Sequence, residues 1–538
     1  MTDRLDAWGR FRLTAAHTEF ARQRDLLLEL RDDLAGARQA FSWPRPESFN
    51  WALEWFDVIA AGNPQPALEL VQADGSLLSV SYQELSLRSD RLANWLTGLG
   101  VGRGDRVMVV LGQQVELWET ILACLKLGAV VIPTYTSLTR AEAADRVGRG
   151  GVRHLIARSD TAALFEESEL TTRIAVGPPV AGWHDHRESR TAAEPFLPTG
   201  PTRAADPAFA YFTSGTTSAP KLVLHTHASY PIGHLSSMYF NGLLPGDRHL
   251  NVSAPGWAKH SWSSFFVPFA AEATLVVPSE EGAAPALLPT LLAERQVTSL
   301  CAPPSYWAQL VEHLGSARPP LREATSAGEP LPARVADAVA AAWQVTVREG
   351  YGQTETTALI GTTPGMRPRP GWLGLPLPGW DIVLEDAMLC VDLSRPTVGL
   401  MAGYDGDEER TRRAVSGGRY RTGDIGEVGP DGYIRILGRS DDVFKSGGHR
   451  VSPYELEAVL RSHTAVRDAA VVPTAHPTLG QAAHAVVEVV RGTTVTAADL
   501  LTYVDARVTA ALRVHTVEFT ERLPRTVSGK VRRAALTS

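Results

Sequence analysis

The chain has 538 residues, 44% of them hydrophobic and 21% charged, with a formal net charge of −7. That length is too great for one hydrophobic core. The acidic balance excludes a general nucleic-acid or anionic-membrane surface. Cys124, Cys301 and Cys390 are far apart and form no CxxC pair. No apolar run of about eighteen residues occurs, and charges interrupt the N-terminus where a signal peptide would be apolar, so the reading is a reduced, cytoplasmic chain with no membrane span.

Residues 3–40 read as charged amphipathic helices with Leu27, Leu30 and Leu34 on one face, a lead-in segment that ends near 45. Residues 49–57 start another helix, with Asn50 as its cap. From about 67 to 200, strands (67–71, 106–111, 129–133) alternate with helices (82–99, 115–127). This rhythm predicts a parallel sheet covered by helices.

Tyr211-Phe212-Thr213-Ser214-Gly215-Thr216-Thr217-Ser218-Ala219-Pro220-Lys221 then places a strand before a small, hydroxylated loop that ends in lysine. Backbone N–H groups, hydroxyls and one ammonium within reach of each other suit a polyphosphate. It is not a Walker loop, because Pro220 stands where that motif needs glycine. His225 and His227, two apart with no accompanying cysteine or carboxylate, read as packing residues rather than metal ligands. Trp257 follows Pro255-Gly256, and strands at 273–278 and 297–302 predict a second sheet. Ser326-Ala327-Gly328-Glu329-Pro330-Leu331 is a strand-to-helix turn of small residues. Gly350-Tyr351-Gly352-Gln353-Thr354-Glu355 brings an aromatic, an amide, a hydroxyl and a carboxylate to the end of a strand. Residues 381–415 read as a peripheral sheet of little consequence for a site. In Tyr420-Arg421-Thr422-Gly423-Asp424, the acceptor-only carboxylate of Asp424 suits a vicinal diol. Ser440-Asp441-Asp442 marks a domain boundary. Gly447-Gly448 predicts a hairpin turn, followed by a helix capped by Ser452 with Pro453 at its first position. Residues 459–520 form a small α/β domain, and Pro524-Arg525-Thr526-Val527-Ser528-Gly529-Lys530 closes the chain's motifs.

These motifs, in this order, resemble the adenylate-forming superfamily of acyl-CoA synthetases, peptide-synthetase adenylation domains and luciferases. The entry helix is similar to that of the acetyl- and medium-chain acyl-CoA synthetase branch. The chain departs from the family at Ser218, where glycine is usual, and in the shortened segment after 381. The resemblance implies an α/β fold. A lead-in (1–45) precedes a large N-terminal domain (46–438) of two αβ sheet subdomains plus a small β portion. A hinge (439–442) then leads to a mobile, smaller α+β C-terminal domain (443–538).

The same resemblance implies an AMP-forming carboxylate–CoA ligase that uses ATP, Mg²⁺ and coenzyme A. It implies nucleotide binding by Thr213, Ser214, Gly215, Thr216, Thr217, Lys221, Gly328, Glu329, Pro330, Tyr351, Gly352, Gln353, Thr354, Asp424, Ile436 and Arg439. Glu355 would hold Mg²⁺, and Lys530 would be the catalytic lysine, acting with Thr354 and Glu355. Trp257, Ala327 and Gly350 would wall the acyl pocket, and small residues at 327 and 350 would leave room for a medium-chain, aryl or bulky polycyclic acid. Asp441 would be the hinge residue, and Gly447 and Gly448 would line the CoA tunnel. Two alternatives stay open: transfer of the acyl group to a separate carrier protein or partner ligase, and a nucleotide-binding regulator without turnover.

Overall fold

The computed structural model describes residues 13–213, 220–315, 318–509, 512–525 and 531–536. An eight-stranded sheet is built around the parallel strands Val130–Pro133, Arg106–Val110, His154–Arg158 and Thr172–Val176. Pro207–Thr213 joins the same sheet beside Val130–Pro133, and Lys221–Thr226 returns antiparallel to it. The strands read as continuous apolar runs because both faces of a parallel sheet are covered. Helix Tyr82–Gly98 starts where Ser81 Oγ accepts the Glu84 N–H at 3.1 Å. Every residue but Glu116 is buried in helix Val115–Leu127. Between these helices Lys126, fully buried, bonds Asp57 at 2.7 Å and Asp90 at 2.8 Å. Removing one partner of such a group would leave an uncompensated buried charge.

A nine-stranded sheet holds the parallel strands Val347–Gly352, Glu323–Ala327, Ser299–Ala302, Arg248–Asn251, Thr274–Pro278 and Pro66–Val71. The second sheet is therefore where the sequence puts it, with one correction. The strand expected at 67–71 pairs with Thr274–Pro278 in this sheet, not with the strands that follow it in the chain. The hairpin to Leu77–Ser81 lets it close an edge antiparallel. A smaller antiparallel sheet gathers Ile382–Glu385, Met388–Asp392, Arg419–Val428 and Ile434–Arg439.

Past residue 441 the chain forms a smaller domain with its own core of Leu456, Leu460, Val466, Leu500 and Val504. Its sheet is Val466–His476, Gly480–Val489 and Val514–Thr520. The hairpin Phe444–Ser446/His449–Val451 turns on Gly447 (φ 55°) and Gly448 (φ 87°). Two successive positive φ values are what a two-residue hairpin loop demands, so both glycines are accounted for by backbone geometry. Pro453 opens helix Pro453–Arg461 as expected, but Ser452 makes no cap. Its hydroxyl donates instead to the Leu437 carbonyl, tying the helix entry to the large domain's last strand.

Candidate active site

A cavity of about 650 Å³ opens where the two large sheets meet. Strand Pro207–Thr213 delivers Tyr211, Phe212 and Thr213 to it, and strand Val347–Gly352 delivers Gly350, Tyr351 and Gly352. Ala327, Gly328 and Glu329 line it from the end of Glu323–Ala327, and Gln353 and Thr354 from the turn after Tyr351. Thr213 stands opposite Lys221 across the strand pair. Ser214, Gly215, Thr216 and Thr217 lie outside the described residues, as does Lys530.

At one end a polar network centres on Asp424, a carboxylate 6% exposed. Its Oδ2 accepts the Tyr351 hydroxyl and the Gln353 Nε2 amide, the latter at 2.7 Å. Its Oδ1 accepts Arg439 Nη1 at 3.3 Å. Tyr420 Oη donates to Gln353 Oε1 at 2.6 Å, which fixes the amide's orientation. The Tyr351 ring is thus held by its own hydroxyl and presents a fixed flat face. Burial, with the Asp424 charge alongside, pushes the Tyr351 phenol well above its ordinary range, so it stays a donor. A carboxylate has about four acceptor positions, so Asp424 keeps capacity for another partner. Arg439 also lies 3.8 Å from Asp441. Lys221, Pro330, Glu355, Asp424, Ile436 and Arg439 do not themselves line the cavity; Asp424 and Arg439 meet it through Tyr351 and Gln353.

Glu355 is oriented by a residue that the sequence reading leaves aside. Tyr404 Oη donates to Glu355 Oε1 at 2.9 Å, and Lys221 Nζ sits 5.1 Å from the centre of the Tyr404 ring. Strand Gly403–Tyr404 pairs with Lys221–Thr226, and Met401 N–H donates to the Glu355 carbonyl at 2.8 Å. The reading of 381–415 as inconsequential for the site is corrected: its last third closes the sheet beside Lys221 and aims Glu355. Nothing in the local pattern Gly403-Tyr404 signals this, because the pairing is long-range. His225, read from the sequence as a packing residue, packs here as a brace. Its Nε2–H donates to the Thr354 carbonyl at 2.7 Å, while Nδ1 lies 3.0 Å from Ser229 Oγ. Burial pulls its pKa down to about 4, so the ring is neutral and serves as a brace. The described residues contain no cluster of three or more histidine, cysteine or carboxylate side chains that would hold a metal.

The other end of the cavity is aromatic. Trp257 stacks on Tyr135 at 5.4 Å with the ring planes 13° apart. The Arg146 guanidinium lies 4.3 Å from the Tyr135 ring centre and also donates to Tyr135 Oη at 2.7 Å. Gly256 makes the stack possible: φ is 96°, and a Cβ there would sit 2.4 Å from the Tyr135 backbone nitrogen. Helix Ser229–Asn241 adds Tyr230 and His234 to the lining. Gly350 lines the cavity but leaves no extra room. A Cβ on it would meet the Phe240 ring at 2.5 Å, so Phe240 fills the space that the missing side chain would otherwise open. Lys259 reaches the cavity from helix Ala258–Ser261, and its Nζ donates to the Ala327 carbonyl at 3.2 Å.

Asp441 begins the crossing to the smaller domain. Next to it, Asp442 accepts Arg533 Nη1 at 3.3 Å, and Arg533 also grips Glu457 through two contacts of 2.8 Å. Gly447 and Gly448 do not line the cavity in this arrangement.

The AMP-binding enzyme family matches residues 57–394, and its C-terminal domain family matches residues 455–530. The chain is 35% identical to 4-hydroxybutyrate–CoA ligase 1 of Metallosphaera sedula, over 91% of this chain and 90% of that one. It is 32% identical to the mitochondrial acyl-coenzyme A synthetase ACSM3 of Mus musculus, over 93% of this chain and 92% of that one. A solved benzoate CoA ligase from Burkholderia xenovorans superposes with a TM-score of 0.80 at 26% identity, over 91% of this chain and all (100%) of that one. The chain belongs to the AMP-binding, adenylate-forming enzymes, near their acyl-CoA synthetase branch.

Proposed function

We propose that the cavity holds the adenylate of a carboxylic acid between the Asp424 network and the Trp257 stack, and that the motif residues act there as follows. The enzyme is an AMP-forming acid–thiol ligase. The substrate carboxylate attacks the α-phosphorus of ATP, an O–P bond forms, and pyrophosphate leaves. The thiol of coenzyme A then attacks the acyl carbon, and AMP leaves. No nucleophilic side chain is needed, because the substrate carboxylate is the nucleophile.

The observation that carries the residue roles is the convergence of Tyr351, Gln353 and Arg439 on Asp424 at the cavity's edge. Tyr351 offers its held face to adenine, with Gly328, Glu329, Pro330 and Gly352 around it. Asp424 takes the ribose hydroxyls, with Ile436 and Arg439 beside it. Thr213 to Thr217 and Lys221 bind the phosphates, and Thr354, braced by His225, bonds the α-phosphate. The donor set at Glu355 fits Mg²⁺: one oriented carboxylate, with nucleotide oxygens to complete the shell. When bound, the ion offsets phosphate charge. Lys530 supplies the further cation where charge builds on phosphorus. The smaller domain turns about Asp441 between the half-reactions, which brings Gly447 and Gly448 to the thiol's path. The fully buried thiols Cys124, Cys301 and Cys390, all free, support a cytoplasmic location. Among the described residues no helix is long and apolar enough to cross a membrane.

The test is pyrophosphate release from ATP with a panel of carboxylic acids, with and without coenzyme A, and mass detection of the thioester. Pyrophosphate release and an acyl-CoA product are expected. Release without any CoA thioester would make a carrier-protein thiol the acceptor. No release with any acid would overturn the reading.

A further inference from the structure

The acyl end of the cavity is aromatic, yet it contains one ammonium. Lys259 is the only Lys or Arg among the described lining residues. Its single hydrogen bond there is to the Ala327 carbonyl, and no carboxylate among the described residues lies within ion-pair distance of it. Lys259 is half-buried, and a hydrogen bond to one carbonyl leaves two of its three donors unused. Burial pulls the amine below its ordinary pKa, and Cys301 and Glu329 offset this only in part.

Two further polar atoms of lining residues lack protein partners. Trp262 Nε1 can only donate, and no acceptor meets it. His234 is 2% exposed, and its Nε2 is likewise unmatched. Ser237 Oγ accepts the Ala358 N–H at 3.1 Å and lies 3.1 Å from His234 Nδ1. A serine hydroxyl has one proton and two lone pairs, so it suits either tautomer of the ring. Buried polar groups in folded proteins are almost always satisfied, and the Lys259 ammonium, in the cavity wall with donors to spare, calls for an acceptor that the ligand brings. A plain alkyl or unsubstituted aryl tail brings none.

We infer that Lys259 is a specificity-determining residue that selects acids carrying a second oxygen function, a hydroxyl, oxo or carboxylate group, apart from the carboxylate that is activated. This rests on the adenylation reading above. Removing a charged donor from a buried acceptor commonly costs about tenfold or more in affinity. Phe240 closes the space beneath Gly350, so an extended alkyl tail gains nothing by passing that way.

The experiment compares hexanoate, 6-hydroxyhexanoate and adipate, and the matching four-carbon set, by pyrophosphate release. Wild type should show a kcat/KM at least about tenfold higher for one oxygenated acid than for the plain acid of equal length. The hydroxy and dicarboxylate arms tell a neutral acceptor from an anionic one. Lys259→Met should collapse that ratio toward one, and Lys259→Arg should keep most of it. A wild-type preference for the plain acids overturns the inference without any variant. So does a ratio that is unchanged in Lys259→Met, because the amine would then act on a group common to all acids. A wild type inert toward every acid overturns the adenylation reading itself, and this inference with it.

Discussion

The two ends of the cavity are built on opposite plans. At the Asp424 end the Tyr351 hydroxyl, the Gln353 amide and both Asp424 oxygens already have protein partners, most of them within short, contiguous motifs: Tyr351 and Gln353 in one, Tyr420 and Asp424 in another. At the Trp257 end the contacts come from remote segments. Tyr135 meets Trp257, Phe240 meets Gly350, and Lys259 meets Ala327. A preorganised polar site binds one constant ligand well, since its dipoles need no rearrangement. A wall of aromatics with spare donors is suited to a part of the substrate that differs between related enzymes. Variants at the first end should therefore lower turnover of every acid equally, whereas variants at the second should change which acid is used.

The largest expected effect lies outside both ends. Lys530→Ala should nearly abolish acyl-AMP formation, by about a hundred- to thousandfold, as loss of one preorganised charge-stabilising donor typically does. It should still convert supplied acyl-AMP and coenzyme A to thioester. Asp441→Pro should show the reverse bias, because proline fixes φ at the residue where the domains are proposed to turn. Pyrophosphate release, and thioester formation from synthetic acyl-AMP, measured for both variants decide this. Equal loss of both activities in each folded variant would refute domain alternation.

Next come the two carboxylates of the nucleotide end. Asp424→Ala should raise the KM for ATP and release the Tyr351 hydroxyl and Gln353 amide together, so the loss should exceed that of a single hydrogen bond of about 0.5–1.5 kcal/mol. Glu355→Gln should raise the Mg²⁺ requirement, because a neutral amide is a poorer ligand for a hard dication. Titrations of ATP and Mg²⁺ with two different acids check both. If the loss differs between the acids, the division between the ends is wrong. A smaller effect is expected from Gly256→Ala. The new methyl would meet the Tyr135 backbone at 2.4 Å in a backbone conformation unfavourable to alanine. Overpacking of this kind costs about 1–3 kcal/mol. It should disturb the Trp257 stack and alter the acid profile while the KM for ATP holds.

The same contrast explains what was legible in the sequence. The two sheets, the smaller domain and the nucleotide motifs can be read because strand periodicity and contiguous motifs are local signals. The edge position of Pro66–Val71, the Tyr404–Glu355 bond and the His225–Thr354 brace cannot, because each depends on a pairing between segments 49 to 207 residues apart. Gly350 is the instructive case. Its smallness suggests an open pocket, but smallness only says that something approaches closely, and here the visitor is Phe240. Ser452 carries a similar lesson: a hydroxyl before Pro453 has the sequence of a cap, yet its side chain turns to donate to a carbonyl of the neighbouring domain and accepts no helix N–H.

The smallest expected effect concerns Glu349, which lies behind Gly350, between the two ends. Its Oε1 accepts the Leu331 N–H at 2.7 Å, which holds the turn after Gly328 in place. Burial pushes its pKa from the usual 4.5 up to about 7, and that hydrogen bond offsets the rise only in part. Between about pH 4.5 and 7 the folded state therefore binds this proton more tightly than the unfolded chain does. The contribution to stability is full below that window and is lost as pH rises through it. Buried histidines act in the opposite sense. His225, His227 and His249 are pulled down to about 4, so they destabilise the fold as pH falls from about 6.5 to 4. These histidines are common to wild type and a Glu349→Gln variant, so they cancel in the difference between the two. The amide still accepts the Leu331 N–H and has no charge to desolvate. Glu349→Gln should match wild type near pH 4.5 and exceed its stability by ~1–2 kcal/mol at pH 8, with most of the change between pH 5 and 7. Calorimetric melting of both proteins across that range measures it. A difference in Tm that does not vary with pH would show that Glu349 does not titrate in this window, and the link from its charge to the turn beside the nucleotide end would be lost.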